Sequence, residues 1–129
     1  MRYLSPEWFE AASKALAADE GLRHTTAQVS LTLEQTVPDA PDGPVRWHIV
    51  LDHGDARLVV APQPDADLRF RTSYRVARAI ARGEMAAPQA FIRGDLVVSG
   101  DLAVLTTQLR SLAAVDDALR DVRSATTFT

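Results

Sequence analysis

Apolar and polar positions change period along this chain, and each change marks a new element. In the opening stretch Trp8, Phe9, Ala12, Ala15 and Leu16 recur at helical spacing. Ser5 can cap that run and Pro6 suits its first turn, so a helix is predicted over residues 5–20, ended by Gly21. From Ala27 the period falls to two: Ala27, Val29, Leu31 and Leu33 alternate with Gln28, Ser30, Thr32 and Glu34, the pattern of a half-buried strand. Three prolines within residues 38–44 make an exposed loop, because proline contributes no ladder donor. Alternation resumes with Val45, Trp47, Ile49 and Leu51 against Arg46, His48 and Asp52. The run Asp52-His53-Gly54-Asp55 is a tight turn into a third strand over 56–61. After a second proline-rich loop (62–65), Leu68 and Phe70 alternate with Arg69 and Arg71 in a fourth strand.

Helical spacing then returns. Ser73 can cap a helix that carries Val76, Ala79 and Ile80 and stops at Gly83, and a shorter helix follows over 87–92. A strand over 95–99 comes next, then a long final helix from Leu102, whose Leu102, Leu105, Leu109 and Leu112 form one apolar stripe. Residues 124–129 read as a frayed tail. The predicted order is α-ββββ-αα-β-α. Strands with one polar face need helices over the other, so the fold class is α+β in two layers.

Composition narrows the field. A chain of 129 residues with 47% hydrophobic content is expected to form one domain with a sizeable core, and no repeat or internal boundary interrupts residues 1–129. Without cysteine there is no disulfide, thiol nucleophile or thiolate metal site. The net charge of −3 argues against a nucleic-acid partner. The first residues lack the apolar run of a signal peptide, and nothing approaches eighteen uninterrupted apolar residues, so a cytoplasmic location is expected. Lys14 is the single lysine and alanine is abundant, as in the product of a GC-rich bacterial gene.

The densest information lies in Phe91-x-x-Gly94-x-Leu96-x-Val98-x-Gly100-Asp101, which packs a helix end, a strand and a helix start into eleven residues. Gly100 turns the chain and Asp101 can cap the next helix. This order resembles the corresponding segment of the sterol carrier protein type 2 (SCP-2) family. Trp47 in the second strand, Gly54 before the third, the capped helix near Ser73 and Gly83 at its end extend the resemblance over about residues 8–112. It implies a five-stranded, mostly antiparallel sheet covered on one face by helices, enclosing an apolar tunnel for a fatty acid, acyl-CoA or other lipid. Eukaryotic members often end in a peroxisomal tripeptide. This chain ends Thr127-Phe128-Thr129, which points away from a peroxisome.

Local catalytic chemistry has no foothold. His24, His48 and His53 lack the spacing of a helical zinc site, and the polar strand position of His48 and the turn position of His53 account for those two. There is no Gly-x-Ser-x-Gly elbow, dinucleotide fingerprint or phosphate loop, so neither an enzyme nor a cofactor is expected. Arginines recur at 75, 78 and 82 on one helix face. Arg75 and Arg78 are candidates for an anionic headgroup, although a solvated helix face explains them as well.

The candidate cavity wall comprises Trp47, Ile49, Leu58, Phe70, Val76, Ile80, Phe91, Leu105 and Leu109, all of which a packed core would also use. Energetics restrict the choice. Burying a sixteen-carbon chain contributes roughly 10 kcal/mol at best before association costs. An empty void of about 300–400 Å³ would cost roughly 7–10 kcal/mol, which rivals the stability of a whole domain. A tunnel should therefore be filled, partly collapsed or stabilised by a partner, and the final helix is the expected lid. Two functions follow: a non-catalytic carrier of one hydrophobic ligand, or a dimerisation or interaction module of the same fold that serves a partner enzyme.

Overall fold

The computed structural model describes residues 1–128. Its elements are α1 (Pro6–Ala18), α2 (Glu20–Thr25), β1 (Ser30–Val37), β2 (Val45–Asp52), β3 (Asp55–Val59), β4 (Leu68–Thr72), α3 (Tyr74–Ala81), α4 (Ala87–Ile92), β5 (Leu96–Gly100), α5 (Leu102–Thr107), α6 (Leu109–Ala118) and α7 (Arg120–Ser124). The five strands form one sheet in the order β3-β2-β1-β4-β5. Every pairing is antiparallel except β1 with β4, the two strands that meet at its centre. The α+β class and the strand count are as the periodicity predicts.

Register fixes the floor of the molecule. Leu58, Ile49, Leu33, Leu68 and Gly100 lie side by side across all five strands, and Trp47, Gln35, Phe70 and Val98 form the next row. Because side chains alternate along a strand, both rows point to the helical layer. Tyr3, Trp8, Phe9, Ala12 and Trp47 are buried in one cluster, and Leu16, Leu22, Leu31, Leu51 and Leu68 in a second. A third, smaller cluster joins Val76, Ala90 and Leu96 under α3 and α4.

Helix ends differ from the expectation where a polar side chain competes for backbone donors. The first helix does not run to Gly21: Asp19 is extended and accepts the Leu22 N–H at 2.8 Å, so it caps a second helix that contains Gly21. The predicted long final helix is broken twice, at Gln108 and at Leu119. Thr107 bonds back to the Val104 carbonyl and the Gln108 side chain takes the Ser111 hydroxyl, contacts that disfavour a straight helix. Its leucine stripe therefore does not run as one buried seam. Leu102 and Leu109 are more than half exposed, and α6 buries Ser111, Val115 and Ala118 in its place. The tail is docked as well: Thr127 bridges Arg2, and the Phe128 ring lies 5.2 Å from that of Tyr3. Residue 129, the end of the expected frayed segment, lies outside the described residues.

The opposite face of the sheet is less polar to solvent than alternation implies. The loop after β3 folds across it, so Glu34 and His48 are both buried. Glu34 accepts the Gln63 N–H at 2.6 Å, and His48 Nδ1–H donates to the Ala61 carbonyl at 2.8 Å. Arg69, in register with Glu34, ties the same loop through the Gln63 and Pro64 carbonyls.

Candidate functional site

Between the two floor rows and the helices lie two adjoining cavities. The inner one, about 270 Å³, is walled by Trp47, Ile49, Leu58, Phe70 and Leu96 from the sheet and Trp8 from α1. Ala77 and Ile80 of α3, Leu112 and Val115 of α6, Leu119 between the last two helices and Val122 of α7 line it from above. The outer one, about 590 Å³, lies between the α3–α4 connection, Phe91 of α4, Val98 of β5 and Leu105 and Leu109 of α5 and α6. Phe70, Ile80, Ala87, Leu112, Asp116 and Arg123 belong to both walls and mark the waist where the two meet. These volumes bracket the lower part of the range found for ligand pockets.

Of the wall residues singled out by pattern, Trp47, Ile49 and Leu58 line the inner cavity, Phe70 and Ile80 line both, and Phe91, Leu105 and Leu109 line the outer one. Val76 does not belong there. It turns away beneath α3 and packs on Ala90 and Leu96, because α3 buries Tyr74, Val76 and Ala77 together. Arg75 and Arg78 line neither cavity: Arg75 is exposed, and the Arg78 guanidinium lies 5.8 Å from the centre of the Tyr74 ring.

Other wall residues escaped the pattern, and Gln35, Asp116 and Arg123 are the ones that bring amide or charged groups to it. Gln35 sits on the inner floor between Trp47 and Phe70, a polar amide in a row that is otherwise apolar. Its signal was present: position 35 breaks the apolar series 31, 33, 37 in β1. Asp116 and Arg123 form an ion pair at 3.0 Å and are the charged side chains of both walls among the described residues. Seven residues apart in one expected helix, they gave no sign of pairing; the break at Leu119 brings them together. The inner wall also carries Tyr3, whose hydroxyl is pushed well above the ordinary tyrosine range by burial and by the neighbouring Tyr74.

The family model of the SCP-2 sterol transfer family matches residues 8–113. The chain belongs to that family. Solved structures share the SCP-2 fold at low identity. A solution structure of a conserved hypothetical protein from Thermus thermophilus, described as a candidate sterol carrier protein, superposes with a TM-score of 0.75 at 21% identity, covering 95% of this chain and 90% of that one. A crystal structure of sterol carrier protein 2 gives 0.71 at 18% identity, covering 95% and 98%. The solution structure of palmitated SCP2L2 from Aedes aegypti gives 0.60 at 18% identity, covering 86% and 95%. No curated protein matches the sequence significantly. Among the described residues of this SCP-2 domain no helix is long and apolar enough to cross a membrane, and no group of three or more histidines and carboxylates is placed to hold a metal.

Proposed function

We propose that this SCP-2 domain is a non-catalytic carrier that takes up one hydrophobic molecule, a fatty acid, acyl-CoA or other lipid, between its sheet and its helices. Membership of a sterol transfer family supports lipid binding or transfer in general. The observation that carries the finer reading is the pair of adjoining apolar cavities under α3, α6 and α7. The palmitated relative supports an acyl chain as the occupant. Neither cavity is sealed: both open to solvent to a similar degree, and the exposed Phe91 and Leu109 stand on the wall of the outer one, so the cost of an enclosed void does not apply. An empty protein of this shape is therefore tolerable, and an entering chain gains about 0.8 kcal/mol for each methylene it buries.

Both tryptophans of the chain, Trp8 and Trp47, stand on the inner wall. Their emission should shift when an acyl chain reaches it. Native mass spectrometry of protein purified from its host, followed by organic extraction, should reveal one lipid per chain. A ligand-free dimer whose tryptophan emission ignores added fatty acids would overturn the carrier reading in favour of an interaction module.

A further inference from the structure

We propose that the Asp116–Arg123 pair is a headgroup subsite, and that it makes the cavity selective for amphiphiles carrying one negative charge, with a carboxylate as the group it takes. The inference rests on the carrier reading above and adds the chemistry of the ligand's polar end. Three observations converge. Among the described residues these two are the charged side chains of either cavity, and they lie in the wall of both, at the waist. The guanidinium is partly sheltered, with the Arg123 side chain about one-third exposed, whereas Asp116 lies out in solvent. Finally, one guanidinium nitrogen, Nη2, donates to Asp116 Oδ1, while Nη1 lies 3.8 Å from where a side chain on Gly83 would begin. Glycine at 83, itself part of the outer wall, places no side chain over that edge of the fork.

An arginine fork offers five N–H donors and can serve two carboxylates along different edges. A chain lying in the cavity would bring its carboxylate to the free edge while Asp116 keeps the other. Asp116 then has two effects. It holds the guanidinium in place, and its own charge opposes the incoming anion, so it tunes affinity downward. A pair that merely staples α6 to α7 across the break at Leu119 predicts something different: its loss would weaken charged and neutral ligands alike.

Titration calorimetry at pH 8 with dodecanoate and with dodecanol separates these. Arg123→Gln should weaken dodecanoate about tenfold and move dodecanol less than about twofold. Asp116→Asn should tighten dodecanoate about threefold and leave dodecanol unchanged. Because this second variant adds affinity, it cannot be mistaken for misfolding. Arg123→Lys, which keeps the charge but loses the fork, should fall between wild type and Arg123→Gln. Equal losses for the two ligands, or no response of dodecanoate to either substitution, overturn the subsite and leave the carrier reading standing. Failure of wild type to bind either ligand overturns both.

Discussion

The two ends of the helical layer rest on the same sheet but are built differently. Over β3 and β2, α1 and α2 are packed tight: Ala12 is wholly buried, Leu16 and Leu22 nearly so, and Trp8, Phe9 and Trp47 stack edge to face with ring centres 5.1–5.3 Å apart. Over β4 and β5, α4, α5 and the start of α6 leave Phe91, Ile92, Leu102 and Leu109 between 44% and 83% exposed, and the larger cavity opens there. Aromatic contacts and full burial hold the first end. At the second, side chains of similar apolarity face space and water. A small carrier needs both, since a protein dense throughout has nowhere to put a guest and one loose throughout does not fold.

The largest expected effect breaks this contrast directly. Leu16→Ala removes a side chain that is 2% exposed and should cost about 2–5 kcal/mol in urea unfolding. Leu109→Ala, on a residue 59% exposed, should cost less than about 0.5 kcal/mol while weakening acyl-chain binding. Similar stability losses at the two positions would mean that the open end is packed in solution.

Next in size is a backbone effect at the open end. Gly100 has φ +101°, and a β-carbon there would sit 2.4 Å from the Asp67 carbonyl oxygen, which also accepts the Asp101 N–H at 2.9 Å. No side chain fits, and no flexible group can yield. Gly100→Ala should therefore cost about 2–4 kcal/mol in the same unfolding experiment, although helices cover this end loosely. A loss below about 1 kcal/mol would show that β5 is as yielding as the helices above it.

That junction explains why so much of the fold was legible. The Phe91-to-Asp101 segment carries two corners, a strand and a cap in consecutive residues, all dictated by local chemistry, and Asp101 does cap α5 through the Ala103 N–H. Alternation of apolar and polar residues likewise located β1 to β4, since a one-residue slip would turn each buried row outward. What local pattern could not reveal depends on pairs distant in sequence. Val76 is helical and apolar, as its spacing predicts, but only the placement of α4 decides that it meets Ala90 and not the cavity. Asp116 finds Arg123 because the helix breaks between them, and Glu34 and His48 are buried because a loop crosses a face that alternation assigns to water. The site is less legible than the fold for that reason: its walls follow from strand register, its charges from helix breaks.

The smallest effect probes the dense end by pH. Tyr3 packs among Trp8, Tyr74 and Phe128, with ring centres 5.1–6.0 Å away. Burial first, then Tyr74, raise its pKa above the ordinary value of 10.0. In the unfolded chain the phenol ionises near that value, while the folded chain keeps its proton. Below about pH 10 the two states hold the same proton and Tyr3 adds no pH dependence. Above about pH 10 the unfolded state alone releases it, so stability should fall by about 1.4 kcal/mol per pH unit until the folded phenol also titrates. Tyr3→Phe should remove that slope while keeping the ring contacts. An unchanged slope in the variant would place the alkaline sensitivity elsewhere and show that burial at this tighter end of the helical layer does not hold the Tyr3 proton.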